Sequence, residues 1–195
     1  MNQVILDVET KRAFNEVGGY KPQALGVSFV GTVVRESQGQ GKKQGYFETD
    51  LSKLWPVLEK ADVIIGFNII DFDLPVLTPY YPGKISQLSV LDLMARLETR
   101  VGHRVSLDAL AAETLGIQKA GTGLDALEYF ETGQLDKLSE YCLKDVEITR
   151  DIYDYGRTHG IVKFLNKWNR LIEAPVDFSF TPMKHQGTQM TLGGL

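Results

Sequence analysis

Carboxylates set among apolar residues recur at three places in this sequence. Such groups are costly to bury unless a cation or hydrogen bonds meet them. In QVILDVET, residues 3–10, the alternation of a strand sends Val4, Leu6 and Val8 one way and Ile5, Asp7 and Glu9 the other. Two carboxylates sharing a face at the end of an apolar strand suit a divalent cation, although a strand that ends in solvent at Asp7 explains the same pair. In GFNIIDFDLPVL, residues 66–77, Asn68, Asp71 and Asp73 alternate with apolar residues, so at least one polar side chain should face an interior cleft. Taken alone, this stretch reads more simply as Asp71 or Asp73 capping a helix that begins near Leu74. In the third stretch a long helix is predicted over 135–155, stopping at Gly156. At about 100° per residue, Leu138, Cys142, Val146, Thr149, Ile152 and Tyr153 fall on one face, and Glu140, Lys144, Glu147, Asp151 and Asp154 on the other. Asp145 lies on the apolar side with Tyr141 one turn before it. An Asp there needs a metal, a hydrogen-bond network or a salt bridge to a distant Arg or Lys.

The same patterning gives the elements that must position these groups. Residues 3–8 and 24–34 are apolar runs of strand length, the second rich in β-branched residues, with a polar loop holding Gly18, Gly19 and Pro22 between them. Residues 36–45, rich in Gly, Gln and Lys, suggest a flexible hairpin tip before a short strand at 46–48. A helix is predicted over 51–60 with Pro56 near its start, then a strand over 63–66 and short elements around 72–80 and 86–91. From Asp92 the helical period dominates. Ser106 caps a helix through Leu107, Leu110, Ala111 and Leu115 that stops at Gly116. A loop with Gly121 and Gly123 precedes a short helix over 124–131, ended by Gly133. Residues 161–180 hold strand-like pieces broken at Pro175, and 181–195 lack periodicity and read as a flexible tail.

At 195 residues, with 43% hydrophobic and 24% charged residues, the chain suits one domain over 1–180 and excludes disordered and fibrous classes. No apolar run approaches the roughly 18 residues of a membrane span, and no signal-peptide pattern opens the chain. A soluble, cytoplasmic protein without a membrane partner is therefore expected. The single cysteine, Cys142, rules out an internal disulfide and a cysteine-built zinc cage; on a core face it reads as a buried, inert thiol. His103, His159 and His185 have no ligand spacing. A net charge of −4 argues against an evenly basic nucleic-acid coat while leaving local polyanion binding open.

In order, DVET, FNIIDFD and YCLKD resemble the three exonuclease motifs of the DEDD 3′–5′ exonucleases of the ribonuclease H-like superfamily. The second and third are similar to those in the proofreading domain of family B DNA polymerases and in small exonucleases related to it. The resemblance covers about residues 1–160. Tyr141, four residues before Asp145, with Glu at 140, matches the tyrosine form of the third motif. The resemblance implies an α/β, ribonuclease H-like fold: a mixed central sheet flanked by helices on both faces. It implies release of nucleoside 5′-monophosphates from single-stranded DNA or RNA 3′ ends, with two divalent metal ions, Mg²⁺ or Mn²⁺. Asp7 would bridge the metals, Glu9 and Asp145 would complete the first metal's shell, Asp73 would hold the second metal partly through water, and Tyr141 would orient the attacking water. Two metals stabilise both the attacking and the leaving oxygen of an in-line displacement, and hard oxygen ligands favour Mg²⁺ or Mn²⁺ over zinc. Asn68 matches an Asn of the second motif and would support the site; Asp71 matches no catalytic position.

The remaining candidates concern substrate. Thr10 belongs to the first motif, and Phe14 could stack on a terminal base, as could Phe67 and Phe72, for which core packing is the plainer use. Arg96, Arg100, His103 and Arg104 form a basic cluster that either tracks a phosphate backbone or is a solvated helix face. Two other functions remain open: a catalytically silent nucleic-acid-binding protein of this fold, against which the four carboxylates and Tyr141 speak, and a structure-selective endonuclease. Gln189, Met190, Thr191 and Leu192 resemble the start of a sliding-clamp-binding peptide, but Gly193, Gly194 and Leu195 stand where its aromatic anchor belongs. A tail with no partner is the competing reading.

Overall fold

The computed structural model describes residues 1–36, 39–118 and 123–181. A five-stranded mixed sheet runs in the order β3-β2-β1-β4-β5. β1 (Gln3–Thr10) lies at its centre, antiparallel to β2 (Val27–Arg35) and parallel to β4 (Val63–Gly66). β3 (Lys42–Phe47) pairs with β2, and β5 (Val90–Asp92) pairs with β4.

The alternation along β1 decides which helices cover which face. Val4, Leu6 and Val8 pack with Leu51, Leu54 and Leu58 of α1 (Leu51–Glu59) and with Val76 and Leu77 of α2 (Asp73–Leu77). Ile5 joins Leu93 and Leu97 of α3 (Leu93–Val101), Leu110 of α4 (Leu107–Leu110) and Val146, Ile148 and Ile152 of α6 (Leu135–His159). α5 (Gly123–Glu131) sets Ala126 against Leu138, Tyr141 and Cys142 of α6. This is the mixed sheet with helices on both faces that the motifs imply. Among the described residues, no helix is long and apolar enough to cross a membrane.

The structure corrects several boundaries. The long helix does not stop at Gly156 but runs to His159, where Gly160 takes a left-handed φ of 70°. Gly156 is there for a close approach: a Cβ on it would lie 2.4 Å from Cδ2 of Phe178. Pro56 sits well inside α1 rather than near its start. It is exposed, as is Ser52, whose carbonyl loses the helix hydrogen bond and faces water instead. The segment read as a hairpin tip supplies the first residues of β3, where Lys42 and Lys43 occupy a sheet edge that charge keeps from pairing further.

Ser106 does cap α4, accepting the Ala109 N–H, and the chain continues as a π-type turn over Ala111–Leu115 before Gly116 stops it. Within that turn Thr114 Oγ1 accepts the Lys163 N–H at 2.8 Å and donates to the Lys163 carbonyl at 2.9 Å. This ties the segment to a hairpin that the sequence left ambiguous, β6 (Ile161–Leu165) paired with β7 (Leu171–Pro175). The hairpin tip is built on Asn166, whose Oδ1 accepts the N–H groups of Trp168 at 2.9 Å and Arg170 at 3.1 Å. Gly121 and the tail residues Gln189, Met190, Thr191 and Leu192 lie outside the described residues.

Candidate active site

Asp7 and Glu9 project from the face of β1 that α6 covers. Opposite Asp7 in the register stands Gly31 of β2. A Cβ at that position would lie 3.0 Å from both Cys142 Sγ and Val146 Cγ2, so the bare backbone lets α6 settle onto the acidic end of β1. Cys142 Sγ consequently comes within 3.5 Å of the Asp7 carbonyl and of its Oδ2, as a donor to both. Donor atoms of Asp7, Glu9 and Cys142 all lie within 4.8 Å of one another. The thiol is pushed well above its usual range, first by burial and then by the charges of Asp7, Glu9 and Asp145. Burial and these charges thus favour the protonated thiol over a nucleophilic thiolate.

Asp73 arrives from the other side of β1. The β1–β4 pairing ends at Ile5 and Ile65, and beyond it the Val8 N–H donates to Asp73 Oδ1 at 2.8 Å. Asp73 is thus buried as the first residue of α2 without being its cap, since no side-chain hydrogen bond caps that helix. Its pKa is raised well above the usual carboxylate range by burial first and by the charge of Asp7 second, against the opposing pull of its own N–H and that of Val8. Asp145 and Tyr141, both buried on α6, complete the group.

Three hollows meet at these residues. One, about 450 Å³, is lined by Asp7, Glu9, Thr10, Phe14, Tyr141 and Asp145. A second, about 430 Å³, runs from Asp7 and Asp145 to Asn68 and Arg104. A third, about 910 Å³, lies along the outer side of Tyr141 and Asp145 and carries Lys43, Lys137 and Lys144. Phe14 stacks on Tyr20 with ring centroids 4.7 Å apart and meets Phe72 edge-on at 6.0 Å. Thr10 Oγ1 donates to the Arg12 carbonyl at 3.0 Å. Asn68, at φ 64°, accepts from the Arg104 guanidinium.

The structure therefore gathers Asp7, Glu9, Thr10, Phe14, Asn68, Asp73, Arg104, Tyr141 and Asp145 about one end of β1. Arg96 and Arg100 it does not bring there: exposed on α3, they line a separate hollow with Ile70, Asp92 and Asp177. Asp71 is exposed and lies 3.5 Å from Arg104.

Sequence reasoning missed Asp92. Its buried carboxylate accepts the N–H groups of Asn68 and Ile70 at 3.0 Å each and of Ala95 at 3.1 Å, so it fixes the turn that leads into Asp73 while capping α3. The signal was an Asp directly before the helical run 93–101, the position of an N-cap. The lysines of the third hollow were missed too: Lys137 and Lys144 lie on a helical face that reads as ordinary solvated charge, and Lys43 falls in the segment read as a hairpin tip. As donors, the converging carboxylates are hard oxygens beside a protonated thiol, which fits a hard divalent cation.

Comparison with known proteins bears on the fold and the family. No curated protein matches the sequence. The fold is similar to that of the family B DNA polymerase from the hyperthermophilic archaeon Pyrobaculum calidifontis, with TM-score 0.61 and 17% identity, over 80% of this chain and 24% of that one. It also matches E. coli exonuclease I in complex with a 5cy-dT13 oligonucleotide, with TM-score 0.47 and 15% identity, over 81% of this chain and 41% of that one. The chain thus spans well under two thirds of either protein, and at these identities the likeness is one of fold. The sequence profile of the RNase H superfamily matches residues 5–156, most of the chain, and the protein belongs to that superfamily.

Proposed function

We propose that this chain is a 3′–5′ exonuclease that releases nucleoside 5′-monophosphates from single-stranded DNA or RNA ends and depends on two divalent cations, Mg²⁺ or Mn²⁺. The observation that carries the reading is the gathering of Asp7, Glu9, Asp73 and Asp145 at one end of β1. They lie close enough that the charge of Asp7 raises the proton affinity of Asp73, and those of Asp7, Glu9 and Asp145 raise that of Cys142. Such mutual repulsion in a folded interior supports a place for bound positive charge. Membership of the RNase H superfamily supports phosphodiester hydrolysis.

Asp7 and Glu9 from β1, Asp145 from α6 and Asp73 from α2 would hold the cations. When bound, these supply Lewis-acid polarisation of the phosphate and charge stabilisation on both sides of an in-line displacement. The chain's own residues do the rest. The Val8 N–H holds Asp73 in one orientation. The Tyr141 hydroxyl, beside Asp145, orients the attacking water. Asn68 and Arg104, joined by their hydrogen bond, present a donor fork to a phosphate at the mouth of the cleft. Phe14, braced by Tyr20 and Phe72, offers a ring face to the terminal base.

A degradation ladder on labelled linear and circular single strands of DNA and RNA, in Mg²⁺, Mn²⁺ or EDTA, tests this. Stepwise shortening from the 3′ end in either metal, none in EDTA and an intact circle are expected. Cleavage of the circle would show an endonuclease instead, and undiminished activity in EDTA would remove the cations from the reaction.

A further inference from the structure

Beside the cleft lies a hollow of about 620 Å³, lined by His103, Arg104, Ser106, Phe164, Lys167 and Trp168 among others, of which the proposed reaction uses Arg104 alone. Arg104, Val105 and Ser106 line both this hollow and the cleft that reaches Asp7 and Asp145, so the two adjoin. Three of its lining side chains are basic or can become so and none is a carboxylate, on a chain whose net charge is −4. At its outer edge stands Trp168, 68% exposed, flanked by the exposed Leu165 and Leu171.

Trp168 does not sit on a loose loop. The Asn166 carboxamide oxygen accepts the N–H groups of Trp168 and Arg170, and the Asn166 N–H donates to the Arg170 carbonyl at 3.0 Å. The hairpin below is anchored in the core by Val162, Phe164 and Ala174 and tied to the π-type turn through Thr114 and Lys163. Core packing does not account for this exposed ring, whose backbone those bonds hold and over whose face Lys167 Nζ lies 4.5 Å from the centroid. A fixed aromatic face with cations beside it, opening onto a cleft proposed to take a strand end, has the composition of a single-strand platform, where bases stack and phosphates meet basic side chains.

We propose that the β6–β7 tip extends the cleft, with Trp168 stacking on a base and His103, Arg104 and Lys167 meeting phosphates of single-stranded nucleic acid outside the reacting end. The proposal rests on the nuclease reading above, and its test can be separated from that reading. The chain has two tryptophans, of which Trp55 is buried, so stacking on Trp168 has its own optical signal. In EDTA, where no strand is cut, oligothymidylate or oligouridylate should quench the fluorescence of the full chain saturably. The quench should persist in Trp55→Phe and vanish in Trp168→Ala. By anisotropy of labelled strands, Trp168→Ala should bind about tenfold more weakly and Trp168→Phe, which keeps a ring, nearly as the parent. Arg104→Gln and Lys167→Gln should each lessen the salt dependence of binding.

Should the ladder fail while the quench remains, the exonuclease reading falls and the platform stands. A working ladder with an unquenched Trp168, or with parental affinity in Trp168→Ala, overturns the platform alone and leaves the tip as a face for another protein.

Discussion

Two carboxylates end short elements on either side of one turn, and both are buried, yet their surroundings differ in kind. Asp92, at the end of β5, is 4% exposed and accepts three backbone N–H groups. Asp73, at the start of α2, is 3% exposed, accepts from Val8 and from its own N–H, and faces the charge of Asp7. The backbone meets the charge of the first and leaves the second in excess. Burial alone thus fails to separate the two acids; what separates them is the balance between the donors that reach each carboxylate and the like charges that face it.

Removing the charge that sets Asp73 apart tests that contrast most severely. Asp7→Asn is expected to lower turnover on the order of 10³-fold or more, measured on the ladder, because it removes the carboxylate shared by the site. In EDTA the same variant should melt no lower than the parent, since repulsion is relieved; a marked loss of stability would move Asp7 to the architectural side with Asp92.

Next comes Tyr141→Phe, which keeps the ring against Phe29 and Ala126 and loses only the hydroxyl. A fall of about 10²-fold in single-turnover rate is expected, smaller than that of Asp145→Asn, with metal affinity unchanged by calorimetry. Parental turnover would deprive the hydroxyl of its role.

At the architectural carboxylate the expected losses are in folding energy. Asp92→Ala takes the acceptor from three partly buried N–H groups and should destabilise by about 2 kcal/mol in urea denaturation, and it should slow the enzyme by loosening the turn before Asp73. Full stability in this variant would erase the distinction between the two acids.

The smallest effect is a pH dependence. The folded-state pKa of Asp73 lies above its unfolded value, so the native state binds the extra proton. Metal-free stability from this group should therefore be full below about pH 4 and fall as pH rises through the raised pKa. Melting curves across pH in EDTA should show this fall, Asp73→Asn should flatten it, and Mg²⁺ should offset it near neutrality.

Much of the floor of the site was legible because period-two alternation is a strict rule: it set Asp7 and Glu9 on the Ile5 face, where the structure has them. The helical wheel likewise put Asp145 and Tyr141 on the buried flank of α6. What escaped depended on the identity of distant neighbours. Gly156 reads as a stop until Phe178 is seen to need its missing side chain. Asp73 reads as a cap until β4 is seen to end its pairing at Ile65, leaving the Val8 N–H to the Asp73 carboxylate. The basic cluster at 96–104 reads as one unit, yet α3 carries Arg96 and Arg100 to one hollow while Arg104, past the helix end, turns toward another. Residues 161–180 gave no clear period because each strand of the hairpin is only five residues long, burying Val162 and Phe164 in β6 and Ala174 alone in β7, so the alternation is too short to stand out.

The contact between Cys142 and Asp7 joins residues 135 positions apart in the chain. A pairing of that span needs the central strand and α6 to have met, and closing so long a loop carries an entropy cost that local pairings do not. Cations held there would find their ligands in the finished protein and not in its precursors. They would then act as a latch and not as a nucleus: Mg²⁺ should slow unfolding in stopped-flow experiments while leaving the refolding rate almost unchanged.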